Sequence, residues 1–443
     1  MANPQSSDAT TDASTTPRVP AAIHEHFTRQ LIEALTSARH RSDGELVEPG
    51  QVPYLASLLL QDAWRERASD IHLDPQSGGY RICFRIDGVL YVAALLTREQ
   101  AHRLVNQFKT WAKLDPVHTF TCQESRWTYS IDDQLLHLRL TGVPCVNGEK
   151  LTIRLLNPKR VEHRLDELGL SESHFEHIQA WLNNIKGMFL VVGPTGSGKT
   201  TTLYGLLHEL IAHGKSIVTI EEPVEYQIDG ISQIQVDRRH DLTFAQGLRT
   251  MLRLDPDYLM VGEIRDAESA RSATDASVGG RILLSTLHSP DSVGTITTLR
   301  NWGLKDYEIA ANVSVIVAQR LVRVLCGHCK EKRALSKTQQ AWLASIVGNG
   351  SKIDQAWFVV GCDRCGQTGY VGRTGIFEVW RLNEEDYESI LAGQDEHALR
   401  EQLLKRNQPL LLADAIEKFK EGITSLESLQ AIAGLPGVEF KSL

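Results

Sequence analysis

One short run of residues limits the fold of this chain more than any other feature. Gly193–Thr200 has the spacing G-x-x-x-x-G-K-[ST], follows the apolar stretch Met188–Val192 and precedes the helical pattern Thr201–Leu207. A strand, a glycine-rich loop and a helix in this order form a phosphate-binding loop, in which backbone N–H groups and the helix N-terminus face the phosphates. We prefer this interpretation to the alternative of a glycine-rich turn. The residues expected to bind a nucleoside triphosphate are Gly193, Pro194, Thr195, Gly196, Ser197, Gly198, Lys199, Thr200 and Thr201.

The composition is typical of a soluble globular protein with more than one domain. A chain of 443 residues exceeds one ordinary core, so two or three domains are expected. The net charge of −8 argues against a surface that coats nucleic acid, although a local basic groove is compatible with it. No apolar run approaches the roughly 18 residues of a membrane-spanning helix, and the N-terminus lacks the pattern of a signal peptide. We therefore expect a cytoplasmic protein with no direct nucleic-acid partner and with membrane contact only through other proteins.

The hydrophobic periodicity changes along the chain. Alternation over Tyr80–Ile86 and a hairpin signal at Asp87-Gly88 indicate a first α+β module. Farther on, strand candidates alternate with helical patterns, which is typical of a parallel sheet. Those candidates are Phe189–Val192, Ser216–Ile220, Tyr258–Val261 and Ile282–Thr286. The expected segments are a largely disordered or helical N-terminal extension (1–50), an α+β domain (51–160), a P-loop domain (165–325), a tetracysteine element (326–370) and a C-terminal helical segment (371–443).

Polar side chains follow three of these predicted strands. Glu263 ends one strand, where a carboxylate would hold the water shell of Mg²⁺ or orient the attacking water. Glu221, Glu222 and Glu225 follow another strand, and they either polarise water or form an ordinary solvated acidic loop. His288 follows a third strand, as a sensor of the γ-phosphate or as an ordinary packed or solvent-facing histidine. The strand ends therefore predict a catalytic centre beside the phosphate loop.

Four of the seven cysteines form two matched pairs. Cys326 and Cys329, and then Cys362 and Cys365, each have the spacing C-x-x-C, which is typical of Zn²⁺ bound by four thiolates. A redox dithiol is the alternative, but it does not explain two pairs. Four protein ligands leave no open position on zinc, so the metal is expected to be structural, and the long spacer predicts an inserted helix at Lys337–Ile346. The remaining cysteines are expected to be small core residues, and they are Cys83, Cys122 and Cys145.

These segments, in this order, resemble the secretion ATPases of type II secretion and type IV pilus assembly, the GspE/PulE/PilB group. The resemblance covers nearly all of the chain from about Val52 to the C-terminus. In the P-loop domain the matching segments are Gly193–Thr200 (Walker A), Thr219–Tyr226 (Asp box), Leu252–Asp266 (Walker B region) and Leu284–His288 (His box). The segments similar to the family's N-terminal ATPase-associated domain are Ala68–Pro75, Arg85–Leu90, Gly148–Lys150 and Arg154–Leu156.

The resemblance implies both a fold and a site. The implied fold is α/β, with a RecA-like P-loop NTPase domain, a preceding α+β (PAS-like) domain and a C-terminal zinc-binding subdomain. The implied assembly is a homo-hexamer that binds ATP with Mg²⁺ between the two domains, where arginines neutralise the phosphoryl oxygens. The implied Mg²⁺ ligands are Thr200 and Glu263. The implied catalytic residues are Glu263, Glu225, Glu221, Glu222, His288, Arg139, Arg154, Arg249 and Arg253.

Three positions depart from the family pattern. Glu222 stands where the Asp box usually has aspartate, so its carboxylate reaches one methylene further. Arg281 replaces the usual histidine before the His-box strand, and Ser289-Pro290 replaces the usual Thr-Asn after it. These changes bear on how fast the site turns over.

The sequence therefore predicts an ATP-hydrolysing hexameric motor that powers a type IV pilus or a type II secretion pseudopilus at the inner membrane. The expected partner is an inner-membrane platform protein, and the short segment before the first domain does not identify how the chain would dock. Two alternatives stay open: a slowly hydrolysing, nucleotide-dependent assembly scaffold, and a motor for a conjugation or DNA-uptake pilus. A nucleic-acid motor is disfavoured by the acidic net charge.

Overall fold

The computed structural model describes residues 51–156, 164–237, 240–278, 280–347 and 353–434. The expected N-terminal extension, residues 1–50, lies outside this part of the chain. The chain divides into two compact units, each built around its own sheet. Among the described residues, no helix has the length and apolarity needed to cross a membrane.

The first unit is an antiparallel sheet with two helices. Its elements are α1 (Gln51–Arg65), β1 (Asp70–Gln76), β2 (Gly79–Ile86), β3 (Val89–Leu96), α2 (Arg98–Trp111), β4 (Gln123–Ile131), β5 (Gln134–Cys145) and β6 (Gly148–Leu156). The six strands are ordered β3-β2-β1-β6-β5-β4, and α2 packs on α1 and on β1, β2 and β3. This unit contains both helical and strand segments, as the alternating pattern predicts.

The hairpin between β2 and β3 has the predicted turn. Asp87 and Gly88 have φ values of +48° and +89°, which a two-residue type I′ connection requires at both central positions. Aspartate tolerates the left-handed region better than most residues, and glycine has no Cβ to oppose it. The pairing of Ile86 with Val89 closes the hairpin directly at the turn.

Strand β5 shows how this sheet separates its two faces. Leu136, Leu138 and Leu140 are buried in the unit's apolar core, together with residues of both helices. Because successive side chains of a strand point to opposite faces, His137 and Arg139 lie on the other face of the sheet. The sheet therefore presents a polar face that carries arginines.

The second unit is built around a seven-stranded, largely parallel sheet. Its strands are β7 (Met188–Val192), β8 (Ile217–Glu221), β9 (Ser232–Gln235), β10 (Tyr258–Ile264), β11 (Ile282–Leu287), β12 (Val313–Leu325) and β15 (Tyr370–Arg381). They are ordered β15-β12-β7-β11-β10-β8-β9, so β7 lies in the interior of the sheet. The four predicted strands are confirmed, whereas β9, β12 and β15 were not predicted.

Helices cover both faces of this sheet. They are α3 (Glu172–Leu182), α4 (Lys199–Ile211), α5 (Phe244–Met251), α6 (Ala267–Ser277), α7 (Ser292–Asn301) and α8 (Asp306–Asn312). Along β7, Leu190 and Val192 join one apolar cluster, whereas Phe189 and Val191 join another. A strand that is buried on both faces needs apolar side chains at every position, and the run Met188–Val192 has them.

The C-terminal part adds a small sheet and further helices to the second unit. These elements are β13 (Glu331–Ala334), α9 (Lys337–Val347), β14 (Gln355–Phe358), α10 (Glu384–Leu391), α11 (Glu396–Lys405), α12 (Leu411–Lys420) and α13 (Leu426–Ala433). Helix α9 confirms the predicted insertion between the two cysteine pairs. Lys330 lies 4.8 Å from the ring centroid of Trp357 and donates to the carbonyl of Gly422 at 2.7 Å, so the small sheet is fastened to the turn after α12.

Candidate active site

The phosphate loop connects β7 to α4 and depends on glycine at three positions. A Cβ on Gly193 would lie 2.4 Å from the Gln319 carbonyl oxygen, and one on Gly198 would lie 2.8 Å from Gln319 Nε2. Gly196 and Gly198 have φ values of +77° and +89°, in the region that favours glycine. The loop therefore curls tightly against β12, with the N-terminus of α4 behind it.

Lys199 is held at the centre of this loop. Its Nζ donates to the carbonyls of Gly193 and Pro194 at 2.8 and 3.1 Å. The side chain is only 9% exposed, and desolvation lowers the pKa of Lys199 to about 8, against the opposing effect of Glu263 and with a smaller lowering by Arg320. A cation stripped of water and placed at a helix N-terminus binds an anion with little further desolvation cost.

Glu263 and His288 lie together beside the loop. His288 Nε2 is 2.8 Å from Glu263 Oε1, and His288 Nδ1 is 3.0 Å from the carbonyl oxygen of Gly193. Nε2 thus faces a carboxylate, whereas Nδ1 faces the Gly193 carbonyl and, at 3.5 Å, Lys199 Nζ. The structure brings together the residues that the sequence places at the ends of β10 and β11.

Arg265 joins two of the candidate carboxylates. Its Nε is 2.7 Å from Glu263 Oε2, and its Nη1 is 3.0 Å from Glu222 Oε2. These contacts raise the pKa of Arg265, the hydrogen bond to Glu263 being the largest cause. The guanidinium thereby holds the ends of β8 and β10 in a fixed relation. The sequence motifs assign no role to Arg265, although its place two residues after Glu263 is a signal.

Glu221 has a different environment from its neighbour Glu222. It is buried, and its carboxylate accepts hydrogen bonds from the hydroxyls of Tyr204 and Thr219 and from the amide of Gln233. Burial raises the pKa of Glu221, and burial beside this carboxylate raises the pKa of Tyr204 as well. These contacts tie α4 to β8, so Glu221 is well placed to anchor the phosphate-loop helix.

The remaining predicted residues of the second unit lie farther from these contacts. Glu225 is half-buried, and its backbone hydrogen-bonds to the Tyr204 hydroxyl. Arg249 lies in the last turn of α5, Arg253 follows that helix, and both side chains are exposed. Within the described part of the chain, neither arginine has a hydrogen bond or ion pair with the phosphate loop.

Arg139 and Arg154 lie in the first unit and are direct cross-strand partners on β5 and β6. Arg154 Nε is 3.0 Å from Asp70 Oδ1, and Arg139 pairs with Glu124 on β4. Arg126 is the cross-strand partner of Arg139 on the other side. A row of arginines thus crosses the polar face of this sheet, with Asp70 and Glu124 among their partners.

The residues of the second unit fit a nucleotide with a divalent cation. The Ser197 hydroxyl is buried and has no hydrogen-bond partner among the described residues, which is costly unless a ligand supplies one. The glycine cradle leaves backbone N–H groups for phosphate oxygens. Thr200 is exposed at the first turn of α4, and Glu263 offers a carboxylate, so a hydroxyl and a carboxylate are available for Mg²⁺.

The four paired cysteines form one cluster. Their sulfur atoms all lie within 4.8 Å of one another, and Cys362 Sγ and Cys365 Sγ are 3.7 Å apart. Tetrahedral Zn–S bonds of about 2.3 Å require sulfur atoms about 3.8 Å apart. The backbone N–H groups of Cys362 and Gly369 donate to Cys365 Sγ at 3.2 Å, as they would to a thiolate. The cluster therefore fits one zinc ion.

The expectation for the other cysteines is only partly met. Cys83 is buried, but Cys122 and Cys145 are exposed, so the prediction of core positions is wrong for these two. Both lie at strand ends or in connections, where a small side chain reaches solvent. An isolated cysteine in the sequence carries no periodic signal that would separate the two cases.

The comparisons with known proteins agree with this geometry. The family model described as Type II/IV secretion system protein matches residues 45–431. Type II secretion system protein E of Aeromonas hydrophila is 37% identical over 375 residues, which are 85% of this chain and 74% of that protein. Type II secretion system ATPase E of Vibrio cholerae is 38% identical over 378 residues, again 85% of this chain and 74% of that protein.

Solved structures share the mixed α/β fold. The ATPase DotB of Legionella pneumophila superposes with a TM-score of 0.65 at 22% identity, covering 86% of this chain and 96% of DotB. The pilus retraction motor PilT, solved with bound ADP, gives a TM-score of 0.57 at 21% identity, covering 85% of this chain and 96% of PilT. At 21–22% identity, these superpositions show that the chain shares the fold of both proteins.

Proposed function

Because the chain belongs to the Type II/IV secretion system protein family, we propose that it hydrolyses ATP to ADP and phosphate and couples this reaction to protein secretion or pilus assembly. The relatives in Aeromonas hydrophila and Vibrio cholerae are named as type II secretion proteins, and the second is named as an ATPase. The observation that carries the proposal is that His288 contacts both Glu263 and the loop that holds Lys199.

The chain's own residues supply distinct parts of the chemistry. Lys199 and the backbone N–H groups of the loop bind the phosphates, and Lys199 neutralises charge on the transferred phosphoryl group. His288 and Arg265 hold the two oxygens of Glu263, which fixes the direction in which this carboxylate orients water. Bound Mg²⁺, held by Thr200 and Glu263, would act as a Lewis acid on the phosphoryl oxygens.

The acidic residues after β8 divide into two roles. We assign Glu221 to structure, since its carboxylate is buried and bonded to three side chains. Glu222 is half-buried and paired with Arg265, so it adjusts the position of that guanidinium and, through it, of Glu263. Glu225 remains a candidate for positioning water, because it lies in the same acidic segment after β8.

Arginines complete the proposed catalytic site in the assembled protein. Arg139 and Arg154 stand side by side on one sheet face, and a planar guanidinium neutralises phosphoryl oxygens better than an ammonium group. Arg249 and Arg253 are exposed and free to take the same role. Arginines of this kind contribute about 10³- to 10⁵-fold to the rate in other phosphoryl-transfer enzymes.

The proposed setting is a homo-hexamer on the cytoplasmic side of the inner membrane. The chain would attach there through a platform protein of a secretion or pilus machine, as its membership of the family suggests. The zinc held by the cysteine cluster would be structural, since four thiolates saturate the ion.

Glu263→Gln separates binding from hydrolysis. The neutral amide keeps the size of the side chain but cannot hold Mg²⁺ or orient water as a carboxylate does, so phosphate release falls by about 10²-fold or more. Binding of a fluorescent ATP analogue stays within about threefold of wild type, because the loop and Lys199 are unchanged.

The matched control is Glu268→Gln, an exposed glutamate in the first turn of α6, which should keep wild-type turnover. Phosphate release that Glu263→Gln leaves unchanged would contradict the proposed catalytic centre. Wild-type protein that binds ATP tightly but releases no phosphate would support the scaffold alternative instead.

A further inference from the structure

Arg320 lies on β12 directly beneath the phosphate loop, and the mechanism above does not use it. The side chain is 9% exposed, although arginine is rarely buried without strong partners. Its Nη1 donates to the Gln319 carbonyl at 3.1 Å, and a Cβ on Gly193 would lie 3.0 Å from the same nitrogen. Arg320 therefore contacts the loop at its first glycine.

Gln319, the residue before Arg320, contacts the same loop and the start of α4 through its side-chain amide and its backbone carbonyl. Its Oε1 accepts from the Thr202 hydroxyl at 2.6 Å, in the first turn of α4. Its carbonyl oxygen and Nε2 are the atoms that exclude a Cβ at Gly193 and Gly198. Two consecutive residues of β12 thus brace both ends of the phosphate loop.

Arg320 also contacts the segment that follows His288. Its Nη2 donates to the carbonyl of Pro290, two residues beyond the histidine that contacts Gly193 and Glu263. The next residue, Asp291, is buried at the N-terminus of α7. One guanidinium therefore packs against Gly193 of the loop and donates a hydrogen bond to the His288–Asp291 segment.

Asp291 connects this segment to the C-terminal helices. Its Oδ1 accepts from the Gly294 backbone N–H at 2.7 Å, and its Oδ2 accepts from Arg400 Nη2 at 2.7 Å. Arg400 is buried on α11 and also pairs with Glu396 of the same helix at 2.9 Å. An ion pair thus joins the start of α7 to α11.

Glu378 makes the corresponding connection to α12. It is 1% exposed on β15, and its carboxylate accepts from the backbone and hydroxyl of Ser292 and, at 3.0 Å, from the backbone N–H of Leu411. Leu411 is the first residue of α12. Burial lowers the pKa of Arg320, and the nearby charges of Asp291 and Glu378 oppose that lowering, although its hydrogen bonds go to the backbone carbonyls of Gln319 and Pro290.

We propose that Arg320 is a positioning residue that couples the phosphate loop to helices α11 and α12 through Asp291, Arg400 and Glu378. The inference rests on the proposed function, since it requires that a nucleotide binds the loop. A ligand that moves or stiffens Gly193 and His288 changes the contacts of Arg320 with the loop and with Pro290, and a buried guanidinium that loses a hydrogen bond is costly. Binding at the phosphate loop is thereby transmitted to the C-terminal helices.

Hydrogen exchange of backbone amides tests the coupling in the full-length protein. Adding Mg²⁺ with the non-hydrolysable analogue AMP-PNP should protect the loop Gly193–Thr201 in wild type, and should also slow exchange in α11 and α12 by about fivefold or more, the low end of usual coupling between sites. In Arg320→Gln the loop stays protected, but the protection of α11 and α12 is lost.

Two further variants make the result specific. Arg320→Lys keeps the charge without the planar fork, and it should restore part of the protection. Arg323→Gln is the matched control, because Arg323 is on the same strand but pairs with Glu427 at 3.9 Å, and it should behave as wild type. In turnover assays, Arg320→Gln should lower kcat about tenfold with a smaller change in KM.

The outcomes separate this inference from the proposed function. No loop protection in wild type would overturn the proposed function itself. Loop protection without any effect on α11 and α12 in wild type would overturn the coupling alone, whether or not Arg320→Gln folds. Equal protection of α11 and α12 in wild type and in a folded Arg320→Gln would also overturn it.

Discussion

Single residues in this chain take their roles from burial as much as from sequence position. Glu221 and Glu222 are neighbours at the end of β8, yet one is buried with three side-chain partners and the other pairs with a half-exposed arginine. Lys199 is buried by its own loop, and this lowers its pKa to about 8. The chemistry of the site is therefore set by which groups the fold desolvates.

The pKa of Lys199 predicts how nucleotide affinity depends on pH. Below about 8 the ammonium group is charged and attracts phosphate, and above that value the free protein loses this charge. The affinity for an ATP analogue should therefore stay level from about pH 7 to about pH 8 and fall above it, by up to about tenfold per pH unit. Fluorescence titration across this range measures the effect.

Lys199→Arg provides the control, because a guanidinium stays charged throughout the range. Its affinity, whatever its absolute value, should show no decline between about pH 8 and about pH 9.5. If the affinity of the wild-type protein is also constant up to about pH 9.5, the pKa given for Lys199 is contradicted.

At the level of helices and strands, the sequence predicts the elements that have a clear period or motif. The four strands around the phosphate loop, the Asp87-Gly88 hairpin and helix α9 all follow from apolar runs, turn residues or spacing. Strand β12 was missed, because a long apolar run does not distinguish a strand from a buried helix. Strand β9 is four residues long and polar, so it carries almost no periodic signal.

The same limit explains why the sequence does not reveal two residues that support the site. Arg320 and Gln319 belong to β12, and their role depends on the pairing of β12 with β7, which brings them under the loop. Sequence spacing gives no measure of that distance, since the chain between the two strands is long. The motifs predict the phosphate loop, but only the pairing of β12 with β7 shows that Gln319 and Arg320 support it.

The cysteine cluster makes a prediction at the scale of one element. Purified protein should contain one zinc ion per chain, and the double variant Cys326→Ser/Cys329→Ser should lose it. Loss of the ion frees the connections around β13 and β14, so the melting temperature falls by several degrees, as expected for about 1–2 kcal/mol or more. Elemental analysis and thermal unfolding measure both effects.

The double variant Cys122→Ser/Cys145→Ser is the matched control, since both of these cysteines are exposed and outside the cluster. It should keep its zinc and its melting temperature. Wild-type protein that folds normally without zinc would contradict the assignment of a structural metal.

For the molecule as a whole, stability depends on contacts between the start and the end of the second unit. His174 on α3 is buried, and its Nδ1 is 3.9 Å from Asp414 Oδ1 on α12. Asp414 also accepts from the backbone N–H of Phe377 and pairs with Lys418. Burial lowers the pKa of His174 to about 4, so this imidazole is neutral in the folded protein near neutral pH.

This buried histidine predicts that the protein loses stability in mild acid. The unfolded chain binds a proton at His174 below its ordinary pKa of 6.5, whereas the folded protein does so only near 4. The contribution of His174 to the free energy of unfolding is therefore fully present above about pH 6.5 and is lost as the pH drops towards 4. The loss from this residue is at most about 3 kcal/mol. Melting temperatures at about pH 7.5 and about pH 5.5 measure the change.

His174→Leu should show a smaller difference between the two pH values, because the apolar side chain takes up no proton. His397→Leu is the control, since His397 is exposed on α11, and it should keep the wild-type difference. An unchanged pH dependence in His174→Leu would show that other groups account for the acid sensitivity.

The central claim is that the loop around Lys199 binds and hydrolyses ATP, and steady-state phosphate release tests it most directly. Wild-type protein with Mg²⁺ and ATP should turn over, and Lys199→Ala should lose about 10²-fold or more of that rate, because the phosphoryl charge is no longer neutralised. Lys186→Ala, which removes an exposed lysine just before β7, should keep the wild-type rate. Equal turnover in wild type and Lys199→Ala would contradict the account.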